Sequence, residues 1–235
     1  MTRIGVIKPG STYPGMIERF GDYDAWFARV LGPLGADCVT RDLESGPPPD
    51  PESADGWIVT GARGSVHEES PVVARLLEWV RAVARAEVPL LGVCYGHQAI
   101  CAALGGKVER HPGGWELGSA EVELTEAGER DPLFEGFPHR FLVQTTHEDR
   151  VALPPPDATL LATNPHTEIQ AIGVGARLRG VQFHPEVTVE IAGDFAERRR
   201  HLLARPARIE EAPWGTRVLT NFVERFVRSS ASTAS

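Results

Sequence analysis

Residues 91–98 read LGVCYGHQ. The apolar run VPLLGV (88–93) leads into Cys94, which stands between Gly92 and Gly96, and a helix-compatible run, HQAICAAL (97–104), follows at once. A strand that turns directly into a helix, with small residues on both sides of a reactive one, has the layout of a nucleophile elbow. Glycine suits both flanks, because such a turn brings backbone segments close together and uses dihedrals that a β-carbon opposes. A thiol at the apex sits at a helix N-terminus, where the helix dipole and free N–H groups favour its ionised form. The plainer alternative is a buried core cysteine ahead of a helix. A second motif weighs against it.

That motif is GVQFHPEV at 180–187. The apolar run ARLRGVQF (176–183) alternates as a strand does and delivers His184 just before a proline. Chemistry at a cysteine needs a base to take the thiol proton and later protonate the leaving group. It also needs a third group that orients the base and stabilises its charged form. Glu186, across Pro185 from His184, meets that need if the chain turns there. Alone, His-Pro-Glu reads as a turn with a solvated glutamate; beside G-x-C-x-G it completes a set of Cys94, His184 and Glu186. A metal held by the same three residues leaves the glycine-flanked elbow unexplained, so no metal is expected. The chain has no Walker-type loop and no G-x-G-x-x-G, and no cofactor is expected either.

On these motifs the chain resembles the class I glutamine amidotransferases, whose elbow reads G-x-C-x-G-x-Q and whose distal motif is H-P-E. The resemblance runs in order over most of residues 3–190. It implies a flavodoxin-like architecture and a triad in which Cys94 attacks the side-chain amide of glutamine, giving a γ-glutamyl thioester and ammonia. By the same resemblance Gln98 contacts the glutamine. The backbone N–H groups of Tyr95 and of Gly61, in the turn VTGARGS (59–65), form the oxyanion hole. That turn departs from the G-G-P turn common in the family and looks closer to solitary, GMP-synthase-like members, some of which resemble γ-glutamyl peptide hydrolases. The implied substrate is glutamine or a γ-glutamyl compound. With no room for an acceptor domain, ammonia goes to a separate synthase subunit or the reaction ends as hydrolysis. A non-catalytic regulatory binding protein with this fold is the remaining alternative, although such a protein has no need of all three triad residues.

Composition sets bounds on this reading. At 235 residues, 42% apolar and 24% charged, the chain can bury one large core. Residues 1–228 are expected to form a single domain and 229–235, SSASTAS, a disordered polar tail. A net charge of −8 argues against nucleic acid as a partner, because phosphate binding needs clustered positive charge. The one basic run, ERRRH at 197–201, reads as a solvated helix face. Three cysteines without paired spacing fit a reducing compartment. No secretory h-region and no stretch of membrane-spanning length is visible, so a cytoplasmic protein with no membrane partner is expected.

The chain pattern predicts an α/β fold with a mostly parallel central sheet flanked by helices. RIGVIK (3–8), ADCVTRDL (36–43), DGWIVTG (55–61) and VPLLGV read as strands. Between them Tyr23, Trp26, Phe27, Val30 and Leu31, and then Val72, Val73, Leu76, Leu77 and Val80, recur at helical spacing. Active sites in such sheets gather at the carboxyl ends of the strands, where Gly61 and Cys94 fall. SGPPPDPESAD (45–55) reads as the least ordered internal loop. From about residue 106 six short strand candidates follow with little helix between them: KVERH, SAEVEL, HRFLVQTTHE, ATLLATN, TEIQAIGV and ARLRGVQF. They predict an appended antiparallel layer. Val218, Leu219, Phe222, Val223, Phe226 and Val227 mark a closing amphipathic helix.

Two further residues are candidates for the substrate site. His147, in QTTHEDRV, lies where similar proteins carry a histidine near the active-site mouth, and either lines the ammonia exit or a partner surface or is a surface or strand-end histidine. Trp115, in PGGWELG, either covers the substrate from a glycine-hinged loop or packs locally. His97 competes for the role of base, but from the first helical turn its side chain points away from Cys94. His67, Glu68 and Glu69 are adjacent in a loop and cannot converge on one ion without other ligands. Cys38 and Cys101 read as core residues.

Overall fold

The computed structural model describes residues 2–229. The first half alternates as expected: β1 (Thr2–Lys8), α1 (Pro14–Phe20), α2 (Tyr23–Leu31), β2 (Ala36–Asp42), β3 (Gly56–Val59), α3 (Pro71–Arg85), β4 (Leu90–Val93) and α4 (Tyr95–Ala103). Each boundary has a local cause. Asp22 accepts a hydrogen bond from Tyr23 N–H and starts α2; Ser70 accepts from Val72 N–H, with Pro71 in the first turn, and starts α3. The stretch PGSTYPG (9–15) passes into the short α1, whose first residue is Pro14. The proline-rich loop is not loose. Trp57 Nε1 donates to Pro51 O at 2.7 Å and Trp79 Nε1 to Pro49 O at 2.7 Å, so two core indoles tether it.

The second half supplies β5 (Lys107–Arg110), β6 (Glu116–Leu124), α5 (Glu126–Arg130), β7 (Arg140–His147), β8 (Asp149–Leu153), β9 (Ala158–Thr163), β10 (Ala171–Val174) and β11 (Leu178–Val181). Then come α6 (Val189–Arg199) and α7 (Gly215–Asn221), which continues in wider π-helical turns over Phe222–Arg228. The segments DRVAL and EAGER were not anticipated as a strand and a helix. The expected tail lies, from residue 230 onward, outside the described residues.

The described residues form a nine-stranded sheet in the order β2-β1-β3-β4-β11-β10-β9-β6-β7, with β5 and β8 paired as a separate ribbon. Strands β2, β1, β3, β4 and β11 are parallel. The antiparallel strands join edge-on through β10, so most of the appended layer prolongs the same sheet. Strand alternation divides the core between the two faces. Ile58, Leu91, Val93 and Val181 pack with Phe27, Leu31, Val218 and Phe222. Trp57, Val59 and Leu90 pack with Leu76, Trp79, Val80 and Ile100.

One pairing places the two motifs together. β11 lies parallel to β4 with Val181 opposite Val93, so the residues following each strand leave the sheet side by side. Cys94 N–H donates to Val181 O at 2.8 Å and locks that junction. Tight glycine contacts fix the elbow. A β-carbon on Gly96 would lie 2.2 Å from Val59 O, and one on Gly92 would lie 2.4 Å from Gly96 O.

Gly96→Ala is therefore expected to cost about 1–3 kcal/mol of stability or more, because it drives a methyl group into backbone that cannot retreat. Gly193→Ala, in α6 with open space around it, should instead be neutral or stabilising by up to about 1 kcal/mol. Urea denaturation of the two variants checks the contrast.

Candidate active site

Cys94 is the N-cap of α4 and has φ 52° and ψ −100°, a conformation that L residues rarely adopt. The strain persists because both flanks are fixed: β4 is held between two neighbours in the sheet, and α4 is packed against it through Gly96. The thiol is 6% exposed and opens on a narrow cleft that is open to solvent. Tyr95, Gln98, Trp115, His147 and Arg199 are among the residues lining it with Cys94. At the start of α4 the Tyr95 N–H has no carbonyl four residues earlier within the helix to bond.

His184 and Glu186 lie behind this wall. His184 Nδ1 and Glu186 Oε1 are 2.7 Å apart, with side chains only 2% and 0% exposed. His184 N–H donates to Gln144 O at 2.8 Å, which fixes the chain as it leaves the sheet. Burial works against a charged imidazole here. The charges of Glu186 and Cys94, with the hydrogen bond to Glu186, outweigh it and push His184 up to about 10. His184 Nε2 and Glu186 Oε2 are buried and make no aligned hydrogen bond. The His184 ring packs on Gly61, where a β-carbon would come within 2.9 Å of Cε1, and Tyr23 closes the other side of that glycine at 3.3 Å. The structure thus brings Gly61, Cys94, His184 and Glu186 into one place.

A polar chain runs from Cys94 into the interior. Gln182 Nε2 lies 3.6 Å from Cys94 Sγ, and Gln98 Nε2 donates to Gln182 Oε1 at 3.2 Å and to Asp149 O at 3.0 Å. His147 is in the cleft wall, yet both ring nitrogens are engaged within the protein, with Glu116 Oε2 at 2.9 Å and Asp149 O at 3.0 Å. Asn164 and Gln170 also donate to the Glu116 carboxylate. Burial opposes ionisation of Glu116, but these partners, His147 foremost, hold it below the usual carboxylate range. His147 is accordingly a built part of the wall rather than a surface histidine.

The competing histidine is disposed of by geometry. His97 is fully buried against Gly180, whose β-carbon would fall 2.5 Å from Nδ1, and burial pushes its imidazole down to about 3. His67 Nδ1 reaches Asp149 Oδ2 at 3.6 Å, and the described residues contain no cluster of three metal-ligating side chains. Three neighbours of the site were missed in the sequence. Gln182 was available, since it sits two residues before His184 in GVQFHPE. Tyr23 read only as a helix core position. Arg199 read as part of a solvated basic face and is in fact 7% exposed. Its neighbours come from elements far apart in sequence, so no local pattern marked it.

This fold and this site define a class of protein, and comparison with known proteins agrees. Residues 17–200 match the family described as "Glutamine amidotransferase class-I". The chain belongs to the class I glutamine amidotransferases. It is 38% identical over 186 residues to the GMP synthase [glutamine-hydrolyzing] of Aeropyrum pernix, covering 77% of this chain and 32% of that one. A protein of Methanothrix thermoacetophila, named as one subunit of GMP synthase [glutamine-hydrolyzing], is 38% identical over 135 residues, covering 57% of this chain and 68% of that one. The chain spans about a third of the length of the full synthase it matches. A solved glutamine amidotransferase from Thermotoga maritima shares the fold, with a TM-score of 0.75 at 24% identity over 96% of this chain and 98% of that one. Among the described residues no helix is long and apolar enough to cross a membrane.

Two outcomes are expected from this geometry. Cys94→Gly should be more stable than Cys94→Ala by about 1 kcal/mol, since only glycine relieves a positive φ, offset in part by its larger unfolded-state entropy; chemical denaturation measures it. In Glu186→Gln, His184 should release its proton at lower pH, as followed by NMR of the imidazole. His184 rises from an ordinary 6.5 to about 10 on folding. Its charged form therefore stabilises the fold fully below about pH 6.5 and loses that contribution as pH climbs through about 10. The stability gap between wild type and Glu186→Gln should shrink over that interval.

Proposed function

We propose that the chain cleaves the γ-amide of glutamine, or of a γ-glutamyl compound, through Cys94, His184 and Glu186. The observation that carries this reading is the strained Cys94 elbow set beside a buried His184–Glu186 pair just beyond the adjoining parallel strand. Glu186 occupies Nδ1 and, with His184 pushed up to about 10, leaves Nε2 to hold the proton that the Cys94 thiol gives up. The Cys94 sulfur then bonds to the amide carbon, and the carbonyl oxygen becomes an oxyanion received by the N–H groups of Tyr95 and Gly61. Losing one such donor costs about 10²–10³ in rate in comparable sites. His184 returns the proton to the departing nitrogen, ammonia leaves, and a γ-glutamyl thioester remains. Water, giving a proton to His184, attacks the thioester and releases glutamate with the regenerated thiol. Gln98, Trp115 and His147 form the substrate walls, Gln98 and His147 through positions fixed by their internal hydrogen bonds.

The ammonia is passed to a separate synthase subunit in this proposal. The similarity to a protein named as one subunit of a glutamine-hydrolysing GMP synthase supports a partner of that kind. A γ-glutamyl peptide hydrolase is the second reading, favoured by the opening of the cleft to solvent beside Trp115, which leaves a peptide tail a way out. A purely regulatory binding protein has no use for the strain at Cys94 or for a buried ion pair behind it. Cytoplasmic residence fits three free cysteines.

Ammonia release should be measured with glutamine and with a panel of γ-glutamyl dipeptides. Turnover is expected for at least one, with a loss of about 10³-fold or more in Cys94→Ala. A glutamine-like diazoketone should label Cys94 ahead of the other thiols on mass spectrometry. Burial pushes both Cys38 and Cys101 upward, the Cys38 thiol with help from Asp37, so neither ionises readily. Equal labelling of all three cysteines, or full turnover by Cys94→Ala, overturns the proposal.

A further inference from the structure

The cleft wall holds three guanidinium groups, and their surroundings differ. Arg110 pairs with Glu148 at 3.3 Å. Arg63 is exposed to solvent and donates through Nε to Ser11 O at 2.9 Å. Arg199 is only 7% exposed, and no carboxylate among the described residues forms an ion pair with it. Its nearest partners are neutral: the Thr146 hydroxyl accepts from Nη1, and its Cζ lies over the rings of Trp115 at 4.5 Å, Phe195 at 4.9 Å and Tyr13 at 5.5 Å.

A buried cation without an anion is unfavourable unless something else compensates it. The C-terminal end of α6 and three aromatic faces supply part of that compensation. They also fix the guanidinium plane, which leaves its remaining donors presented rather than mobile. A planar fork of N–H donors held in this way matches a carboxylate better than any other common ligand group. Every γ-glutamyl substrate carries such a group at its α-carbon, at the end of the molecule opposite the bond that Cys94 would attack.

We infer that Arg199 is the anchor for the α-carboxylate of the substrate. The inference rests on the reading of the cleft as a γ-glutamyl site and extends it. The substrate class is then restricted to compounds with a free α-carboxylate on the glutamyl residue; a glutamine embedded in a peptide through that carboxyl is excluded. Trp115 is a positioning residue in this scheme, stacking on the guanidinium rather than capping the substrate itself.

Binding, not turnover, provides the test, so that it stands apart from the catalytic reading. Calorimetry on the full chain carrying Cys94→Ala would use L-glutamine and L-glutamine α-amide, which differ only at the α-carboxyl position, a carboxylate in the first and a neutral amide in the second. Glutamine should bind on the order of 10–100-fold more tightly. With Arg199→Gln added, the two ligands should bind equally, and with Arg199→Lys part of the preference should return. Equal binding of both ligands by the Cys94→Ala protein overturns the inference without any change at Arg199, and so covers the case in which Arg199→Gln does not fold. Full preference retained in a folded Arg199→Gln protein, or no binding of either ligand at about ten millimolar, overturns it too. A clear preference in a chain that hydrolyses nothing would sink the catalytic proposal and leave this one standing.

Discussion

The parallel pairing of β4 with β11 is the constraint on which the rest of the molecule depends. Val93 opposite Val181 is a register, and a register admits no intermediate values. A slip of one residue would turn the side chains that follow β11 to the other face of the sheet and carry His184 away from Cys94. The sheet guards that register from both sides. Gly180 stands where His97 needs room, Gly92 and Gly96 let α4 lie close on β3 and β4, and Cys94 N–H closes the junction on Val181 O. Each of these is a close approach that a larger residue would disrupt.

With the register fixed, the polar interior around the site follows a clear division. One set of groups is paired within the protein: Glu116 receives His147, Asn164 and Gln170, and Gln98 bridges Gln182 to Asp149 O. Buried networks of this kind hold geometry, because every member left alone would be costly. The other set is left incomplete. His184 Nε2 and Glu186 Oε2 lack an aligned partner, Cys94 carries a strained backbone, and Arg199 has no counter-ion among the described residues. Incomplete groups persist only where the surrounding structure over-determines them, and here they surround one cleft. A rigid paired frame around unpaired reactive groups is what a preorganised site needs.

How much of this was legible in the sequence depended on whether the signal was local. The elbow was legible because LGVCYGHQ carries its strand, its bend and its helix within a few residues. His184 and Glu186 were legible because two residues of chain define their relation. The six later strand candidates were found, but their edge-on continuation of the parallel sheet was not, since strand order is a non-local fact that turns and alternation do not encode. Strand DRVAL was missed because β7 runs into it almost without a turn, with only Glu148 between the two. The proline-rich loop read as loose because its anchors, Trp57 and Trp79, lie outside it. Arg199 is the sharpest case. A basic run reads as solvated until Tyr13, Trp115 and Thr146, from three distant segments, are known to enclose it.

The two histidines beside the elbow then explain why burial alone does not assign chemistry. His97 and His184 are both removed from water, and desolvation disfavours the charged imidazole in each. Their proton affinities nevertheless move in opposite directions. His97 faces Gly180 and the apolar side of the sheet, with His147 as its electrostatic neighbour, so nothing opposes desolvation strongly enough and its imidazole stays neutral. His184 has Glu186 at 2.7 Å and Cys94 nearby, and these two overturn the same penalty. The difference originates in two short spacings, one residue between His184 and Glu186 and two between Cys94 and His97. The first lets a proline turn bring a carboxylate back onto the ring. The second aims the ring off the opposite side of a helix. Partner placement, set by those spacings and by the β4–β11 register, decides which imidazole gains proton affinity and which loses it.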